Sequence, residues 1–84
     1  MLVSVAFHGR LGDAAWREPR ALDLPSEIAT IGALREWLPS IAPGLADQLD
    51  PDTVRAAIGD TLVGDEAALS PTSEVAFLPP VSGG

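Results

Sequence analysis

The stretch Glu74-Val75-Ala76-Phe77-Leu78-Pro79-Pro80-Val81-Ser82-Gly83-Gly84 decides how this chain is read. Glu74 to Leu78 alternates, with Val75 and Phe77 facing one way and Ala76 and Leu78 the other, the period-2 pattern of a strand. Pro79 and Pro80 carry no backbone N–H, so the strand's ladder must stop there. Their rings favour an extended, polyproline-like course. From Pro79 to Gly84 the chain can reach roughly 20 Å at about 3.3–3.6 Å per residue, enough to enter another protein's active site. Two glycines lack Cβ atoms, pass a narrow channel and leave a carbonyl open to attack. Terminal diglycine arises by chance in roughly one chain in 200, so it is weak alone and gains weight from the strand and prolines behind it.

Working outward, Leu2 to Phe7 alternates in the same way, with Val3, Val5 and Phe7 on one face, and is expected to be a central strand. His8 to Pro19 holds Gly9, Gly12, Asp13 and Pro19 and reads as a loop with Trp16 as its one large apolar residue. Arg20 to Leu24 is a second strand, closed by Pro25. Thr30 caps a helix carrying Ile31, Leu34 and Leu38, extending to Ile41, with Arg35 and Glu36 expected in water and Pro39 ending or kinking it. Pro43 to Leu49 adds a turn that places Leu45 and Leu49 on the same core. Asp50-Pro51-Asp52 is a turn. Val54 to Ile58 and Thr61 to Val63 form a hairpin through Gly59-Asp60.

Strand, strand, helix, hairpin, strand is an α+β order, a small mixed sheet of four to five strands covered on one face by one main helix. Strands from the two ends of the chain then pair in its middle, so residues 79–84 leave a rigid central strand as a tail on a domain spanning 1–78.

Eighty-four residues make one domain, barely large enough for a core and too small for a deep active site of its own. There is no cysteine, which offers no disulfide, thiolate zinc site or nucleophilic thiol and fits a reducing cytoplasm. A net charge of −7 with five arginines and no lysine argues against nucleic acid and favours a basic partner surface. Met1-Leu2-Val3-Ser4-Val5 lacks a basic signal region, and no apolar stretch is long enough to span a membrane. The lack of lysine fits an alanine- and arginine-rich coding bias, and it also spares an activated C-terminus from attack by its own ε-amines.

Other candidates yield to simpler readings. His8 stands alone without a second ligand and is assigned no role. Asp47, Asp50 and Asp52 lack the glycine and distal glutamate of a calcium loop. Asp65 and Glu66 read as surface charges. Trp37 is expected under the sheet, while core and interface stay open for Trp16.

From Ala56 to the end, Ala-Ala-Ile-Gly-Asp-Thr-Leu-Val, then Leu69-Ser70-Pro71 and Glu74 through Gly84, the chain resembles the small subunit of molybdopterin synthase, a ubiquitin-like sulfur carrier of the β-grasp fold. The likeness extends more loosely to the first strand and to Thr30-Ile31-Gly32-Ala33-Leu34-Arg35. It implies that the Gly84 carboxylate is adenylated by a ubiquitin-activating-like adenylyltransferase using ATP, converted to a thiocarboxylate with a sulfur donor enzyme, and inserted into the synthase large subunit. That subunit would carry the catalytic residues. Pro79, Pro80, Val81, Ser82 and Gly83 would be the insertion element, and Phe77, Leu78 and neighbouring sheet residues the docking surface, with no cofactor bound to this chain. The chain departs from the family at Trp16 and Pro19 and at Pro39, where the family helix runs on. Sulfur carriers for thiamine or cysteine, archaeal lysine modifiers with the same ending, and a plain interaction module are the alternatives.

Overall fold

Leu2–Phe7 (β1) and Glu74–Leu78 (β5) lie side by side and parallel, with Val5 opposite Val75 and Phe7 opposite Phe77. The computed structural model describes residues 1–80; Val81, Ser82, Gly83 and Gly84 lie outside the described residues. Arg20–Asp23 (β2) pairs antiparallel with β1 on its other side. Arg55–Ile58 (β3) pairs antiparallel with β5 and also with Thr61–Val63 (β4). The order β2-β1-β5-β3-β4 puts the last strand at the centre, as the alternating apolar patterns at both ends of the chain predict. With one main helix across one face, this mixed five-stranded sheet is a β-grasp fold.

That helix, α2, spans Ile31–Trp37. Thr30 Oγ1 accepts from the Ala33 N–H at 3.2 Å, satisfying one of the donors a helix start leaves unpaired. The Ile31 and Gly32 N–H groups donate to the carbonyls of Ala67 and Asp65 at 3.0 and 2.8 Å, so the segment before β5 completes the cap. Pro39 acts as expected: the α-helix stops at Trp37 and one 3₁₀ turn, Leu38–Ser40, follows. A second 3₁₀ turn, Pro43–Leu45, buries Leu45, and Leu49 joins it in the core.

The core lies between α2 and the inner face of the sheet, where Val3, Val5, Phe7, Ala56, Val75 and Phe77 meet Ile31, Leu34 and Leu38. Phe7 stacks on Phe77 with ring centroids 5.6 Å apart and takes the edge of Trp16 at 5.1 Å. Trp16 is therefore a core residue, and its Nε1–H donates to the Val5 carbonyl at 2.8 Å. Trp37 is half-buried against the same cluster.

Four expectations need correction. The segment 8–19 is not all loop: Leu11–Ala14 forms a single helical turn, α1, and Leu11 is as buried as the sheet residues because that turn folds over the end of β1. Ile41 follows the Pro39 break and points outward, 44% exposed. Arg35 is not in water but 6% exposed, and Asp65 is its ion-pair partner rather than a plain surface charge. Helical spacing explains the burial, since Arg35 is four residues after Ile31 and three before Leu38, on the same stripe.

Candidate functional site

The site to be built is the point where the chain leaves the sheet. β5 is hydrogen-bonded on both sides, to β1 and to β3, so its end is fixed by two neighbouring strands. The last described link on the β1 side is the His8 N–H donating to the Phe77 carbonyl at 2.9 Å. On the β3 side Leu78 stands opposite Arg55. Pro79 comes next and is half-buried; Pro80 is exposed. Neither has an N–H to extend the ladder.

Phe77 has no exposed surface and belongs to the core, which corrects its assignment to the docking surface. In a strand, neighbours point to opposite faces, so the residue that stacks on Phe7 is turned away from any partner on the outer face. Leu78, half-buried, is on that outer face. Val81, Ser82, Gly83 and Gly84, the rest of the expected insertion element and its reactive end, fall outside the described residues.

Cross-strand register assembles the outer face. Ala6, Ala76, Ala57 and Leu62 form one row across β1, β5, β3 and β4. The row before it holds Ala21, Ser4 and Glu74, and the row after it Leu78 and Arg55. Three alanines make the centre flat, because small side chains leave the strands' backbone close to the surface. Besides half-buried Leu78, Leu2, 53% exposed, and Leu62, 62% exposed, are large apolar residues on this side. A shallow basin over Ser4, Ala6 and Ala76 is bordered by His8, Pro19, Gly59, Asp60 and Glu74. A floor of small side chains, Ser4, Ala6 and Ala76, with Asp60 and Glu74 on its border, suits a partner that packs closely at the centre and carries basic groups around it.

Among the described residues, no group of three or more His, Cys, Asp or Glu is placed to hold a metal ion. Nor is any helix of the described residues long and apolar enough to cross a membrane. Reading from sequence missed the Ala6-Ala57-Ala76 row. Its signal was present, since each alanine alternates with a core residue in its own strand.

The ThiS family model matches residues 13–84. The molybdopterin synthase sulfur carrier subunit of Escherichia coli is 34% identical over 64 residues, covering 76% of this chain and 79% of that one. Its Haemophilus influenzae counterpart, of the same name, is 38% identical with the same coverage. Among solved structures, SAMP1 of Haloferax volcanii superposes with a TM-score of 0.80, covering 100% of both chains at 22% identity, a likeness of fold.

Proposed function

This chain belongs to the ThiS family, and on that footing we propose that it is the sulfur carrier subunit of a molybdopterin synthase. The observation that carries the reading is the 34–38% identity, over three quarters of the chain, to two relatives of that name. The fold supports it, because a tail that starts from a strand hydrogen-bonded on both sides has a fixed base from which to be presented. The protein is not an enzyme: it carries the acyl group on which other proteins act.

The Gly84 carboxylate is inert toward nucleophiles until activated. One of its oxygens attacks the α-phosphorus of ATP on a ubiquitin-activating-like adenylyltransferase, releasing pyrophosphate and leaving an acyl-adenylate. Sulfide (HS⁻) released by a donor enzyme then attacks the acyl carbon, the bond from that carbon to the AMP oxygen breaks, AMP departs, and the terminus becomes a thiocarboxylate. Pro79 to Gly83 carry that group into the synthase large subunit, where it gives its sulfur to a pterin precursor. Docking uses the outer sheet face, with Leu78, Ala6, Ala57, Ala76 and Leu62 at its centre. The need for ATP fits a cytoplasmic setting for these steps.

Intact mass spectrometry tests the chemistry. With activating enzyme, ATP and sulfur donor, the protein gains about 16 Da as one oxygen is exchanged for sulfur, and a variant with one residue added after Gly84 does not. No gain in the unmodified protein, or the same gain in the extended one, ends the proposal. Retention of a synthase large subunit on the immobilised protein identifies the destination as pterin synthesis.

A further inference from the structure

Past Leu78, neither proline can donate a backbone hydrogen bond, so side-chain contacts bear on the direction in which the chain leaves the sheet. Gly9 lies against Pro79 at that point. Gly9 has a φ of +56°, in the left-handed region, and a Cβ placed on it would lie 2.9 Å from Pro79 Cγ and 3.7 Å from Cδ. Carbon atoms not bonded to each other settle at about 3.5–4.0 Å, so the proline ring occupies space that any side chain at position 9 would claim. The turn around Gly9 is itself held. The His8 N–H is bonded to the Phe77 carbonyl at 2.9 Å, the Leu11 N–H to the His8 carbonyl at 3.2 Å, and the Gly12 N–H to the Gly9 carbonyl at 3.0 Å.

Gly59 supplies the comparison. Its φ is +61°, nearly that of Gly9, but a Cβ there would meet nothing within 4 Å. Gly59 answers one requirement, a left-handed turn. Gly9 answers two, the turn and the bare surface on which Pro79 rests.

We propose that Gly9 is a positioning residue for the tail: its uncovered Cα, pinned between β1 and α1, is the seat that fixes the direction in which Pro79 leads the chain off the sheet. The functional consequence rests on the sulfur-carrier reading above, since a misdirected tail would present Gly84 poorly to the activating enzyme and to the large subunit.

The chain has no cysteine, so two can be introduced for spin labels, Ser26→Cys at the far end of the sheet and Ser82→Cys in the tail. Ser82 is three residues beyond Pro79, roughly 10 Å of extended chain, so a rotation of about 20° at Pro79 moves it by about 3 Å. In pulsed electron resonance, Gly9→Ala shifts or broadens the distance distribution by about that amount, whereas Gly59→Ala, which carries the same left-handed strain, leaves it unchanged. Pro79→Gly, which removes the other half of the contact, broadens it as well and decides the matter if Gly9→Ala does not fold. The second readout is the rate of the 16 Da mass gain. Gly9→Ala lowers kcat/KM by about 10-fold or more.

Superimposable distributions for Gly9→Ala and the parent, or an equal displacement by Gly59→Ala, overturn the seat. If the parent gains no mass, the sulfur-carrier reading falls while the distances still decide whether Gly9 directs the tail.

Discussion

Arg35 on α2 grips Asp65, thirty residues further along the chain, with Nη2 2.8 Å and Nε 3.2 Å from the same carboxylate oxygen, Oδ1. Its Nη1 donates to the Val54 carbonyl at 2.8 Å and to the Leu49 carbonyl at 3.3 Å, and the guanidinium lies 5.4 Å from the Phe77 ring. One side chain thus ties the helix, the connection into β3 and the segment before β5. Its side chain is 7% exposed while that of Asp65 is 39% exposed. Removing the arginine strands two buried carbonyls; removing the aspartate leaves the arginine both of its carbonyl partners. Arg35→Met should cost about 3 kcal/mol and Asp65→Asn about 1 kcal/mol in urea unfolding. A cost below about 1 kcal/mol for Arg35→Met would show that the carbonyls find other partners.

The same residue shows how far the sequence could be read. Ile31, Leu34 and Leu38 define a helical stripe, and position 35 lies on it. Charge suggested water, but periodicity pointed inward, and periodicity won because four hydrogen bonds were within reach of the guanidinium. Those partners come from residues 49, 54 and 65, which no local pattern connects to the helix. Strands β1 and β5, the Thr30 cap and the Pro39 stop were legible because each follows from a residue and its immediate neighbours. The Leu11–Ala14 turn is too short to show a period, and Phe77 was misplaced on the docking face although its alternation with Leu78 already assigned the two to opposite sides. The Gly9 seat depends on Pro79, seventy residues away, and only the parallel pairing of β1 with β5 brings them together.

Trp16 closes the β2 side of the core by filling space against Phe7 and by giving its indole N–H to Val5, while Arg20 lies over its outer side 4.2 Å from the ring centroid. Trp16→Phe keeps an aromatic edge but leaves the Val5 carbonyl without that donor. The expected loss is about 1–2 kcal/mol, a fall in Tm of at least roughly 4 °C for a domain this small. An unchanged Tm would mean that Val5 needs no side-chain donor.

Thr30 offers a finer test of local structure. Thr30→Ala removes the oxygen that receives the Ala33 N–H and should cost about 1 kcal/mol, whereas Thr30→Ser keeps the cap and most of the stability. Hydrogen exchange at the Ala33 amide reports the cap directly: it should speed up in the alanine variant and hardly change in the serine one. Equal exchange in both variants would place the helix's protection in the carbonyls of Asp65 and Ala67 instead.

Phe77 and Leu62 separate the core from the docking face. Phe77 has no exposed surface, so Phe77→Ala should cost about 3–5 kcal/mol through the cavity it leaves. Leu62 is 62% exposed on the outer face, and Leu62→Asp should change stability by no more than about 0.5 kcal/mol. Binding should follow the opposite order. A carboxylate placed beside the alanine row must be desolvated when a partner covers it, so titration calorimetry with a synthase large subunit should show Leu62→Asp binding about 10-fold more weakly or worse. Phe77→Ala, measured where it remains folded and corrected for its folded fraction, should bind with nearly the parent affinity. If Leu62→Asp binds as tightly as the parent, the outer face is not the docking surface, and if Phe77→Ala alone weakens binding, the partner must reach the core by opening the sheet.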